Sequence, residues 1–269
     1  ELTRDLFHLR FRQCGEAMSK AASRKVLILH DALKQPMLGW NLKGFFGYPS
    51  FGGTTPWSLA YPELMAGSGH MDAVNLFDAA GFDGILTPHD YQARGVGGVY
   101  EPEGMADSAV LRGKYFWAEM DTRSGDKDIG TARNYGEWAA ITWRNFATGW
   151  TRGFNSYWMY GFFIADWFGD KPVQDVIERQ VRVIRESLDW KHETVPGIAM
   201  ILDDTAVLET NGSGNFLNEA VMWEEKMGIA RCGVPHTIYL FDDLALDNFP
   251  KHRVYYFPNL FRVDDQRLE

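Results

Sequence analysis

The chain has 269 residues, 45% of them apolar and 23% charged, with a formal net charge of −9. That length supports one large or two small domains, each with its own core. The negative balance argues against nucleic-acid phosphates and anionic lipid surfaces as partners, and no apolar run approaches the roughly 20 residues of a membrane span.

Residues 2 to about 22 follow a helical pattern. Leu2, Leu6, Leu9, Cys14, Ala17, Met18 and Ala21 are expected on its buried face, with Arg4, Arg10, Arg12 and Arg24 on the wet side. Residues 26–29 (VLIL) read as a short buried strand ending in His30 and Asp31. The next segment, to about residue 69, is rich in Gly, Pro and aromatics, and is far longer than the usual βα loop of about 2–6 residues. Its rings, Trp40 and Trp57 among them, suit a substrate wall or a loop packed on itself. Aromatics reach 14% of the chain, including ten Trp, a composition that suits sugar sites as well as ordinary cores.

Residues 71–80 predict a helix stopped by Gly81, followed by a strand over 82–87 that ends in Pro88, His89, Asp90 and Tyr91. The GVGG run after Arg94 lacks GxGxxG spacing and opens no helix, so no dinucleotide cofactor is expected. A short helix over 106–112 leads into KYFWAEMDTR. There a buried strand over 115–118, expected to be covered on both faces, delivers Glu119 to its C-terminal end, with Asp121 and Arg123 next. A helix over 131–151 follows, with Trp138, Ile141, Ala147 and Trp150 as its apolar stripe. Then come a strand over 156–163 (SYWMYGFF) and a helix that opens on Lys171-Pro172.

Four strand–helix units in succession predict an α/β fold with a parallel sheet and right-handed crossovers. That amounts to a partial (β/α)8 (TIM) barrel over residues 1–194. From residue 195 a small flavodoxin-like α/β domain is expected, with strands over 197–202, 236–241 and 253–257 and a helix opening at Asp264. Asp203 and Asp204, at the first of these strand ends, read as structural. In the barrel-like part, His, acids and aromatics recur at the C-terminal pole of successive strands, which is where α/β barrels keep their chemistry. Cys14 and Cys232 stand far apart with no CxxC or Cys/His cluster, so no metal site and no disulfide framework is signalled.

The runs TPHDYQARGVGG, ADSAVLRGKYFWAEMDTR and GFNSYWMYGFFIADWFGD, followed by the small αβ module, resemble retaining glycoside hydrolases of clan A, in particular family 42 β-galactosidases. The resemblance spans nearly the whole chain. It is moderately specific in the quoted runs and topological in the last domain. It implies that Glu119 lies at the end of barrel strand seven, in the nucleophile position, and that the substrate is a carbohydrate. It also implies that the second carboxylic acid follows an Asn at the end of strand four, a strand that the count places before Glu1; the Asn218-Glu219 pair falls instead in the small domain. Supporting roles implied are Tyr91, Arg94 and Arg123 around the nucleophile, Trp158 and Trp167 under the sugar ring, and His30 and Asp31 toward hydroxyls, with His89 also expected in the substrate site. Two other readings stay open. One is a sugar-binding or assembly protein without turnover. The other is an intact small enzyme using Asp31, Asp90 or Asp121 as the acid. The edges of a half barrel also lead to the expectation of a homo-oligomer.

Overall fold

A computed structural model describes residues 2–31, 72–78, 81–88, 95–102, 105–120, 122, 132–158, 168–206 and 225–268, with the backbone alone at Thr3, Asp31, Pro88 and Gln266. The fold is α/β, with two parallel sheets. The first holds β1 (Leu29–Asp31), β2 (Gly84–Pro88), β3 (Tyr115–Met120) and β4 (Asn155–Trp158), side by side in chain order. Adjacent pairs are parallel, so the segments between them cross back over the sheet, as the alternation of strands and helices predicts. β1 begins three residues later than the VLIL run suggests, and its first two rungs pair Leu29 with Gly84 and His30 with Ile85.

Side chains alternate across a strand, and the two faces of this sheet differ sharply. Ile85, Phe116 and Ala118 point into a core with Leu76 and Phe77 of α2 (Ala73–Phe77) and Ala109 of α3 (Ala106–Leu111). On the other face Tyr115 is 49% exposed and Trp117 half-buried. The expectation that this strand is covered on both faces therefore holds only on the helix side. A continuous aromatic run reads as two-sided burial, but a tyrosine at the start of a strand, such as Tyr115, tolerates exposure because its hydroxyl can face water.

α4 (Tyr135–Thr151) starts on Asn134, whose side-chain oxygen accepts from the Glu137 N–H at 3.0 Å. Its buried face is Trp138, Ile141, Thr142, Asn145, Phe146 and Gly149, a regular helical stripe. Ala147, expected on that stripe, is exposed. α5 (Lys171–Glu186) opens with Pro172 and packs Val173 and Val176 against Trp138 and Ile141.

α1 (Leu2–Ala21) corrects the sequence more strongly. Leu2, Leu6, Leu9, Cys14, Ala17, Met18 and Ala21 are all exposed, and the helix turns His8 and Gly15 inward, with Phe7 and Phe11 half-buried. Gly15 explains the choice. A β-carbon there would meet the Gly81 carbonyl oxygen at 2.7 Å, so only glycine lets the helix approach the turn before β2 this closely.

The second sheet has β5 (Ile198–Leu202) between β6 (His236–Leu240) and β7 (Val254–Tyr256), all parallel. β6 is an edge strand, and α3 closes that edge. The backbone N–H groups of Ile238 and Leu240 donate to Asp107 Oδ2 at 2.8 Å and Ser108 Oγ at 2.9 Å. Met200, Leu202, Ile238 and Leu240 join the same apolar core as Phe116 and Ala118. The change of texture near residue 195 thus marks the start of a second sheet, and one core runs through both.

Candidate active site

Glu119 sits next to last in β3, at the C-terminal end, and is 5% exposed. In register it faces Tyr157 on β4 and Pro88 on β2. The Tyr157 hydroxyl donates to Glu119 Oε2 at 2.5 Å. Opposed residues on neighbouring strands place their side chains on the same face, so the bond follows directly from the pairing. Trp117, two residues earlier on that face, has its ring 6.4 Å from the Tyr157 ring. Just past the strand, the Thr122 carbonyl accepts from Trp138 Nε1 at 2.7 Å, and the wholly buried Trp138 thereby ties the chain leaving β3 to α4.

The other residues picked out in the sequence fall into three groups. His30 and Trp158 are described and lie on the opposite face of the sheet from Glu119. His30 packs its ring against Phe11 at 4.5 Å and Phe7 at 5.2 Å, beneath α1. Trp158 is one residue past Tyr157 and pairs with Met120, so alternation turns it to the helix side. Its Nε1 is buried and meets no acceptor among the described residues. Asp31 contributes only its backbone, paired with Leu86. His89, Tyr91, Arg94, Arg123 and Trp167 lie outside the described residues, as do Asp90 and Asp121.

Tyr157 is the residue that the sequence reading passed over. Its signal was available: in SYWMYGFF the position directly opposite Glu119 follows once the strand starts at Asn155. The register, however, depends on where β4 begins, and the sequence places that start one residue late.

A second cluster joins the two sheets. Arg152, just after α4, donates from one guanidinium nitrogen to Glu101 Oε2 at 2.9 Å and pairs with Asp107 through the other two. His236 Nε2 meets Glu101 Oε1 at 2.5 Å. Burial pushes the Glu101 carboxyl up, but the Arg152 charge, the His236 bond and Lys226 outweigh it and lower its pKa to about 2. This cluster is a structural joint, since Glu101 is wholly buried and its acceptors are occupied.

Asp203 and Asp204 are also structural. Asp203 pairs with Arg267, and its backbone is braced on both sides by Asn259. Asp204 accepts from the Ala73 N–H at 2.8 Å and so fastens β5 to the start of α2. Burial raises its pKa to about 7; the Ala73 bond opposes this, and the charges of Asp72, Asp203 and Asp242 add to it.

A cleft of about 610 Å³ lies at the opposite pole, before β2 and β3, with Arg24, Lys25, Lys114, Asp78 and Asp83 among its lining. Its charges are largely committed: Asp83 accepts from the Ile28 N–H, Asp78 pairs with Arg112, and Lys114 donates to the Phe82 carbonyl. Arg24 and Lys25 follow the end of α1, where cations complement the helix dipole. Among the described residues no group of His, Cys, Asp and Glu is placed to hold a metal ion, and no helix is long and apolar enough to cross a membrane. No protein-family model, no curated protein and no solved structure matches the chain.

Proposed function

We propose that the chain is a glycoside hydrolase of the retaining, β-galactosidase-like kind, or a fragment of one, with Glu119 as nucleophile. The observation that carries this is a carboxylate almost excluded from solvent at the C-terminal end of a parallel strand, aimed by a tyrosine from the next strand. Sequential parallel order β1-β2-β3-β4, with helices on one face and half-exposed aromatics on the other, supports a partial (β/α)8 barrel whose inner face carries the site. The order β6-β5-β7 supports a flavodoxin-like start for the second sheet.

In this mechanism a Glu119 oxygen attacks the anomeric carbon as the bond to the leaving oxygen breaks. The leaving group departs with the bonding pair, and a glycosyl ester on Glu119 is left for water to hydrolyse. The acid that protonates the leaving oxygen is unassigned. The test therefore uses a leaving group that needs no acid: an aryl β-galactoside with a dinitrophenolate leaving group and fluorine beside the anomeric carbon, which lets the ester accumulate. Mass spectrometry is expected to find the sugar on the peptide containing Glu119, and none on Glu119→Gln. Saturable galactoside binding with no ester in either chain would reject catalysis and favour a sugar-binding protein without turnover.

A further inference from the structure

We infer that Tyr157 is a positioning residue of this site, fixing the rotation of the Glu119 carboxylate and favouring its ionised form; this rests on the nucleophile role proposed above. Three observations converge. The two residues are opposed in register on neighbouring strands, so the contact is set by the sheet and not by a loop. The hydroxyl donates to Oε2 at 2.5 Å, the short range of a bond from a hydroxyl to a carboxylate. Trp117, on the same face, sits beside the tyrosine ring, with centroids 6.4 Å apart at an interplanar angle of 49°.

A nucleophile gains from such a partner in two ways. A carboxylate free to turn about its last bond presents either oxygen to the anomeric carbon, while one held at Oε2 keeps a single orientation through each attack. A donor on the charged form also keeps the group ionised despite burial, which otherwise favours the neutral acid. Trp158 cannot do this from its place in β4, because alternation turns it to the other face.

The experiment is Tyr157→Phe, which keeps the ring and removes only the hydroxyl. With the fluorinated aryl galactoside, ester formation on Glu119 is expected to slow about tenfold or more, the loss of one hydrogen bond to a charged group. The acidic limb of the pH–rate profile is expected to move to higher pH, which a purely structural tyrosine would not cause. Equal rates and superposed profiles would overturn the inference. A readout independent of activity separates it from the proposed function. The Glu119 carboxyl carbon, followed by NMR, should titrate at higher pH in the variant. If neither chain forms an ester but this titration moves, the hydrolase proposal fails and the Tyr157 role stands as a carboxylate-positioning one. If neither changes, both fail. Should the variant not fold, the wild-type chain still decides. The Tyr157 ring carbon bearing the hydroxyl should shift at the pH where the Glu119 carboxyl titrates, and a flat response there would reject the coupling.

Discussion

Glu101 and His236 meet at 2.5 Å across the joint between the two sheets, the carboxylate wholly buried and the imidazole nearly so. Glu101 belongs to the first unit, and His236 is the first residue of β6. The contact couples the docking of the second sheet to protonation. Burial pushes the His236 pKa down, but the bond to Glu101 and its charge outweigh that and raise it. Arg152 opposes the proton, and Asp107 lies on the far side of Arg152.

The sign of the pH dependence follows. A histidine raised above 6.5 in the folded chain contributes fully below that value, and its contribution is lost as pH rises through the folded pKa. Glu101, lowered from 4.5 to about 2, contributes fully above 4.5 and loses its contribution as pH falls toward 2. The contribution of this pair is expected to be greatest between these two ordinary values. His236→Gln, which can still donate but does not titrate, should flatten the alkaline side of a melting curve series. Parallel profiles for the two chains would show that the pair does not govern the joint.

Arg152→Met leaves Glu101 and Asp107 buried with their main cation gone. Breaking a buried ion pair from one side costs about 3–5 kcal/mol, and urea unfolding should show a loss in that range. Arg152→Lys should recover only part of it, because a single ammonium cannot replace a fork that serves two carboxylates. A loss within about 0.5 kcal/mol, the usual range of a surface substitution, would mean that the core alone holds the sheets together.

Gly15→Ala tests the seating of α1. In an exposed helix this change gains about 1 kcal/mol from propensity. Here the added carbon meets the Gly81 carbonyl, a backbone atom that cannot swing away. Overpacking of this kind costs about 1–3 kcal/mol, so the variant should be less stable, or at best unchanged. A clear rise in melting temperature would show that α1 sits further from the turn.

Asp204→Asn should stabilise the fold above neutral pH. An acid whose folded pKa is raised from 3.8 to about 7 makes stability fall as pH rises between those values, and the full cost remains above them. Asparagine keeps an oxygen for the Ala73 N–H and carries no charge. The gain should be largest near pH 8 and vanish near pH 4. A pH-independent difference would place the effect in packing instead.

Most elements were legible because each rests on a local pattern. Alternating strands and helices and Pro172 at a helix start are written into short windows of chain, whereas the cap at Asn134 was not read and α4 begins four residues later than the expected start at 131. Glu119 was legible for the same reason: an aromatic run that breaks on a carboxylate marks a strand end. What failed depended on partners. The Leu2, Leu6 and Leu9 stripe promised a buried face of α1, yet the glycine contact with Gly81 turned the opposite face inward. Trp158 looked as well placed as its neighbour until the register assigned one to each side of the sheet.

By itself the sequence determined the α/β class, the parallel strands and the acid at the end of β3, because periodicity and charge along the chain suffice for these. Only the tertiary structure decided which tyrosine meets that acid, which face of α1 is buried, and that Glu101, Asp107, Arg152 and His236 join two sheets around one core. Those outcomes depend on residues far apart in the chain arriving at the same place, where register, close backbone approach and the cost of burying charge choose among side chains that look equivalent in sequence.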